Sequence, residues 1–245
     1  MYKGFAVLVL AVIFLAVFLA PSVKVIVMVP VVAFLAVVTA VVNYLLHKKE
    51  IRSRYDLTFL TVPTFWILGT SAILFVQSSR IWQIVLGLIM VLMFVKLEMN
   101  ILPKINSSLI DSLFFFSAAG VFLGIWAFEF YFTPAWWLVL ILIFFASFSF
   151  YWASYYNVLA NLQEKMIYST VLAFLVTQIS WALLFWPLHF VSITVVMLAL
   201  LYLAWMIGRL HLQGTLKKNA ILYHSGFSGL IIFIVVLTSN WIPKL

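Results

Sequence analysis

The chain has 245 residues, of which 67% are hydrophobic and 8% charged, with a mean hydropathy of +1.24 and a formal net charge of +8. A water-soluble domain of this size needs a polar coat that this composition cannot supply, so a lipid bilayer is its natural solvent and its first partner. The basic residues fall in short clusters between apolar runs, where they orient helices and meet anionic headgroups, which argues against nucleic acid as a partner. The absence of cysteine excludes disulfides, thiol nucleophiles and thiolate metal sites.

The first apolar run, residues 4–20, follows Lys3 and has some features of a secretory leader. It is long for one, no Ala-x-Ala precedes a cut, and Pro21 follows Ala20 directly, so the expectation is a retained first span. Further spans are predicted at 25–46, 57–76, 81–97, 111–130, 135–156, 166–186, 188–207 and 223–241, which makes nine. The breaks contain proline, glycine, polar residues or charge, as at Pro21 to Lys24, His47 to Asp56, Glu98 to Ile110 and Trp186-Pro187. Backbone amides in hydrocarbon must be satisfied within their own segment, so the expected fold is an all-α polytopic bundle. It forms one integral membrane domain over 1–245: an amino-terminal hairpin (1–56), a unit (57–130), a linking helix (135–165) and a second unit (166–245).

Counting Lys and Arg on alternate sides gives 11 against 3 of the 14, with Lys24, Arg80 and Lys244 as the minority. The basic side faces the cytoplasm by the positive-inside tendency, which puts the amino terminus inside and, after nine spans, the carboxyl terminus outside. The cytoplasmic (plasma) membrane is the expected location. Sliding the chain by 113 positions aligns Lys104 with Lys217, Asn106 with Asn219 and Ser112 with Ser225, which raises the prospect that spans 3–5 and 7–9 are a parallel duplication.

No predicted span carries an ionisable residue near its centre, which argues against a proton-coupled pump or a voltage sensor. Span 6 draws a narrow stripe of small and polar residues, with Ala146, Ser147, Ala153 and Ser154 spaced by seven. In span 5, Gly120 and Gly124 form a GxxxG match. Both patterns read first as helix packing, because small residues let backbones approach where lipid gives little hydrophobic drive.

On the basic side, Glu98, Asp111, Asn157, Asn161, Glu164, His211 and His224 form a candidate polar cluster with the right groups for a divalent metal or a phosphate ester. No pair has the spacing that puts two ligands on one helical face, so solvated loop residues are the favoured reading. The sequence assigns no catalytic residue, cofactor-binding residue or metal ligand, and calls for no cofactor. Pro30 and Pro63 fall inside spans and remove backbone donors there. Thr64 on span 3 and Gln178 on span 7 are candidates for a weakly polar pathway.

Three functions remain. An accessory or scaffold subunit, binding another membrane protein or a second copy of itself, ranks first. A transporter or flippase for a neutral or lipid-like solute is the alternative. A membrane-embedded enzyme acting on a lipid or polyprenyl-linked substrate comes third.

Overall fold

The computed structural model describes residues 25–54, 58–77, 79–101, 107–155, 158 and 160–239, with the backbone alone at 25–29, 49–54, 97–101 and 107–109. The predicted first span, 4–20, lies outside the described residues. Eight α-helices follow in chain order: α1 (Val25–Arg54), α2 (Thr58–Val76), α3 (Arg80–Ile101), α4 (Ser107–Phe132), α5 (Trp136–Ser154), α6 (Leu162–Leu183), α7 (Phe190–Leu212) and α8 (Lys218–Thr238). Seven of these are long and apolar enough to cross a membrane among the described residues, all but α3. The fold is a helical membrane bundle.

Helix ends differ from the predicted spans where polar residues extend a helix beyond its apolar run. Span 7 was expected from Met166, yet α6 begins at Leu162, where the Asn161 backbone N–H donates to Glu164 Oε2 at 3.3 Å. That bond satisfies one of the amides a helix start leaves open. Helix α8 likewise starts at Lys218 and not at Tyr223, after Gly214 turns the chain with φ +67°. In α1 the backbone leaves helical geometry at His47 (φ −120°, ψ 22°), at the predicted break, and resumes as helix through Arg54.

The chain divides into two compact units, residues 1–121 and 122–245. In the first unit α2 is the central element, with Phe59, Val62, Phe65, Trp66, Ile67 and Leu74 all buried. Trp66 Nε1 donates to the Met90 carbonyl at 3.2 Å, joining α2 to α3. Gln83 caps the end of α2 from the start of α3, donating to the carbonyls of Gln77 (2.6 Å) and Leu74 (3.2 Å). Those carbonyls would otherwise be orphaned at the helix terminus.

Against α4, α2 makes a backbone crossing. A Cβ on Gly69 would overlap the carbonyl oxygen of Ser117, and one on Gly120 would overlap the carbonyl oxygen of Gly69. Only glycine permits that approach at both positions, and Phe65 on Phe114 (5.5 Å) and Trp66 near Phe116 (5.9 Å) pack across the same pair.

The second unit packs α5 on α6, α6 on α7 and α7 on α8. Its core holds Val139, Ile143, Phe150, Tyr151, Ala173, Val176, Ile193, Val196, Met197 and Leu201. Ser180 donates to the Val176 carbonyl and lies 3.0 Å from Met197 Sδ, so even polar α6 positions bond within the unit. Helix α7 begins at its N-cap His189, whose Nδ1 accepts from the Val191 N–H at 3.4 Å. The His189 ring packs on Phe190 (4.2 Å) and Phe130 (5.2 Å), an aromatic group with one polar member of the kind that suits a membrane boundary. Helix α8 fully buries Ser228 alone and is joined to α7 by Tyr202 Oη to His224 Nδ1 (3.0 Å) and, just past its end, by Ser239 Oγ to Ser192 Oγ (2.9 Å).

Candidate functional site

All four Lys and Arg residues between 160 and 239 lie near one end of the second unit: Lys165, Arg209, Lys217 and Lys218. The single acid in that stretch, Glu164, accepts from the Asn161 amide in the α6 cap. Three helix ends meet here. Helix α5 finishes at Ser154 with Tyr155 as its C-cap (φ −89°, ψ 20°), α6 starts at Leu162, and α7 ends at Leu212 with the Gln213 N–H donating to the Arg209 carbonyl at 3.0 Å.

A glycine notch decides how they fit. A Cβ at Gly208 would overlap Tyr155 Oη, and would stand 3.0 Å from Leu172 Cδ1 and 3.3 Å from Tyr155 Cζ. The missing side chain on α7 therefore lets the α5 phenol reach across to the α7 backbone beside a leucine of α6. Tyr155 is 0% exposed, yet its hydroxyl has no hydrogen-bond partner among the described residues. Burial pushes that hydroxyl well above the usual tyrosine range; Tyr168 pushes the same way, and the Arg209 guanidinium pulls it back down. The phenol is therefore a neutral donor at physiological pH, within the field of a fixed cation.

Around the notch, His211 and Tyr168 pack with ring centroids 5.2 Å apart, bringing the last turn of α7 onto the second turn of α6. The Arg209 guanidinium lies 5.5 Å from the centre of the Trp205 ring, a cation–π contact that fixes its stem against α7. Ser169 stands one turn from Leu172 on the buried stripe of α6 that continues through Ala173 and Val176. It is 0% exposed, and its hydroxyl also lacks a hydrogen-bond partner among the described residues. Thr39, Ser147 and Ser228 carry buried hydroxyls in the same condition elsewhere in the chain, and what sets Tyr155 and Ser169 apart is that both stand beside the basic helix ends.

Of the cluster expected on the basic side, Asn161 and Glu164 form the α6 start, His211 lies on Tyr168, and His224 bonds Tyr202. Asp111 is half-buried in the first turns of α4 and belongs to the first unit. The Glu98 side chain and Asn157 lie outside the described residues. Among the described residues no three His, Asp or Glu side chains stand close enough to hold a metal ion.

Thr64 donates its hydroxyl to the Leu60 carbonyl at 2.7 Å, and Gln178 is exposed on α6. Gly120 seats the Gly69 backbone, while Gly124 is half-buried. The stripe of Ala146, Ser147, Ala153 and Ser154 is buried within the second unit, with Ser154 donating to the Tyr151 carbonyl at 2.9 Å.

Two features escaped the sequence reading. One is the pairing of Tyr155 with Gly208, which nothing local signals across 53 positions. The other is a buried polar stripe on α1, Thr39, Asn43 and His47, with Asn43 Nδ2 donating to the Thr39 carbonyl (3.1 Å) and His47 stacked on Phe59 at 4.8 Å. Its spacing of four was visible in the sequence as one face of a helix. Comparison of the chain with protein-family models, with curated proteins and with solved structures gives no match.

Proposed function

We propose that this protein is an accessory or scaffold subunit that binds a helix of another membrane protein against the exposed face of α6. The observation behind this reading is Gln178. Its carboxamide lies on a surface made of Val171 (56% exposed), Phe174 (57%), Leu175 (44%) and Trp181 (52%), and it makes no hydrogen bond among the described residues. Gln178 is five residues from the end of α6 at Leu183, about 8 Å at about 1.5 Å per residue. Beyond it come Trp181, Phe185 and Trp186, so the hydrocarbon boundary falls further out than the amide.

A primary amide left unpaired in hydrocarbon costs on the order of 4 kcal/mol or more, and a partner helix offering an acceptor and a donor removes that cost. The test is the Gln178→Leu variant in mild detergent, with recovery of the bound membrane protein as the readout. Interhelical hydrogen bonds of this kind are worth about 0.6 to 1.7 kcal/mol, so the variant should lose about 3- to 18-fold in affinity while keeping its own stability. A partner-free monomer, or equal recovery by Gln178→Leu, refutes the reading. A disulfide-linked homodimer through Gln178→Cys would identify the occupant as a second copy, against a foreign helix. The transport reading has no comparable observation behind it.

The same reading places the protein in the cytoplasmic membrane with nine crossings, the amino terminus inside and the carboxyl terminus outside. It also makes α2–α4 and α6–α8 copies of one unit in the same orientation. Single cysteines at Lys104 and Lys217 should then label from the cytoplasmic side and one at Lys244 from the opposite side. Labelling of Lys104 and Lys217 from different sides overturns both the topology and the duplication.

A further inference from the structure

We infer that the basic end of the second unit is a binding site for a phosphate mono- or diester anion, held by Arg209, Tyr168, Tyr155 and Ser169. Four observations converge on it. The stretch from 160 to 239 holds four Lys and Arg residues against one acid, and that acid is bonded in a helix cap. Arg209 is fixed over Trp205, which presents its planar fork in a restricted geometry. Two hydroxyls, Tyr155 Oη and Ser169 Oγ, are 0% exposed and have no hydrogen-bond partner among the described residues. The Gly208 notch brings Tyr155 Oη to the residue adjoining Arg209, and only a residue without Cβ allows it.

Phosphate matches this set because it offers several acceptor oxygens and carries negative charge. Buried hydroxyls without a partner among the described residues gain a strong acceptor when an anion binds. The guanidinium disfavours a cation at this site, while the hydroxyls can each donate to an anion. Leu172 and Trp205 form apolar walls beside the polar set, the surroundings that an acylated phosphate needs. This inference does not depend on the α6 docking face, because Gln178 lies near the other end of that helix.

The experiment uses the full chain in detergent, with native mass spectrometry against phosphatidylglycerol and phosphatidylcholine, and thermal unfolding with added inorganic phosphate. Wild type should retain phosphatidylglycerol over phosphatidylcholine. Tyr155→Phe should weaken phosphatidylglycerol about tenfold or more, as hydrogen bonds to charged groups do, while unfolding no earlier than wild type. Arg209→Gln should abolish the preference, and Lys218→Gln, which changes an exposed cation at the same end, should alter binding less than about twofold.

Protection by inorganic phosphate that Tyr155→Phe removes would assign the anion to free phosphate. Lipid retention without such protection would assign it to a headgroup. Either supports the site. Equal binding by Tyr155→Phe, equal binding of phosphatidylcholine, or a loss in Lys218→Gln as large as in Arg209→Gln would overturn it, the last by reducing the effect to diffuse charge.

Discussion

Replacing Gly120 by alanine tests whether the α2–α4 crossing is held by backbone contact. The new Cβ would stand 2.5 Å from the Gly69 carbonyl carbon and 2.7 Å from its Cα, where ordinary contact begins near 3.4 Å. Every atom it meets is main chain, so no rotamer change relieves the overlap, and the two helices must part by about 1 Å. A gap of that size forfeits a quarter to a half of each contact energy along the seam, including those of Phe65 with Phe114 and Trp66 with Phe116. Overpacking costs about 1–3 kcal/mol and alanine returns about 0.5–1 kcal/mol of backbone entropy, which leaves a net loss of about 1 kcal/mol. Gly226→Ala on α8 is the matched control, because a Cβ there meets nothing within 4 Å and only the entropic gain remains. Reversible unfolding in mixed micelles should separate the two variants by about 2 kcal/mol, in opposite directions from wild type. Equal stabilities would refute the argument, since they would mean that the crossing yields freely.

Gly208→Ala should destabilise the second unit by about 1–3 kcal/mol, and Tyr155→Phe should rescue it, because the overlap is with the phenol oxygen that phenylalanine lacks. Tyr155→Phe alone should match or exceed wild-type stability at neutral pH, by up to about 1 kcal/mol, since it removes a buried hydroxyl with no partner; a clear loss would show that the hydroxyl is bonded. The raised Tyr155 pKa has a definite sign: the unfolded phenol ionises near pH 10 while the folded one stays protonated, so stability falls as pH rises above about 10. Unfolding followed from pH 8 to 11 should show that decline in wild type and a smaller one in Tyr155→Phe. Tyr202→Phe removes the bond to His224 and should weaken the α7–α8 pair by about 0.6 kcal/mol, measurable as faster cross-linking of a cysteine placed on the far side of α8.

The helices were legible because hydrocarbon imposes one requirement on every span, an unbroken apolar run with punctuated ends. A helix therefore stands at each of spans 2 to 9, with different termini, although α3, at span 4, is not among the seven long and apolar enough to cross a membrane. Termini were less legible because a helix continues into water for as long as its own polar residues cap it, as Asn161 and Glu164 do for α6. Faces were only partly legible. The seven-residue spacing of Ala146, Ser147, Ala153 and Ser154 marks a buried stripe, whereas the sequence does not say that Gln178 is exposed. A single polar residue in an apolar helix fixes no direction, because both lipid and protein neighbours leave the rest of the helix apolar. Tyr155 was not legible as a site residue at all, since its meaning comes from Gly208 and Arg209, which share no local pattern with it.

The attachment of α8 has a mechanical consequence. With most of its circumference turned away from the rest of the unit, this helix is about 31 Å long at about 1.5 Å per residue, close to the hydrocarbon thickness of an ordinary bilayer. The lipid therefore acts as its second wall, and two side-chain clasps, Tyr202 with His224 and Ser239 with Ser192, resist only small sliding. Thinner membranes or short-chain detergents should tilt or unfasten this outrigger while α5–α7 hold their places, so it is where the molecule would sense a change in membrane thickness.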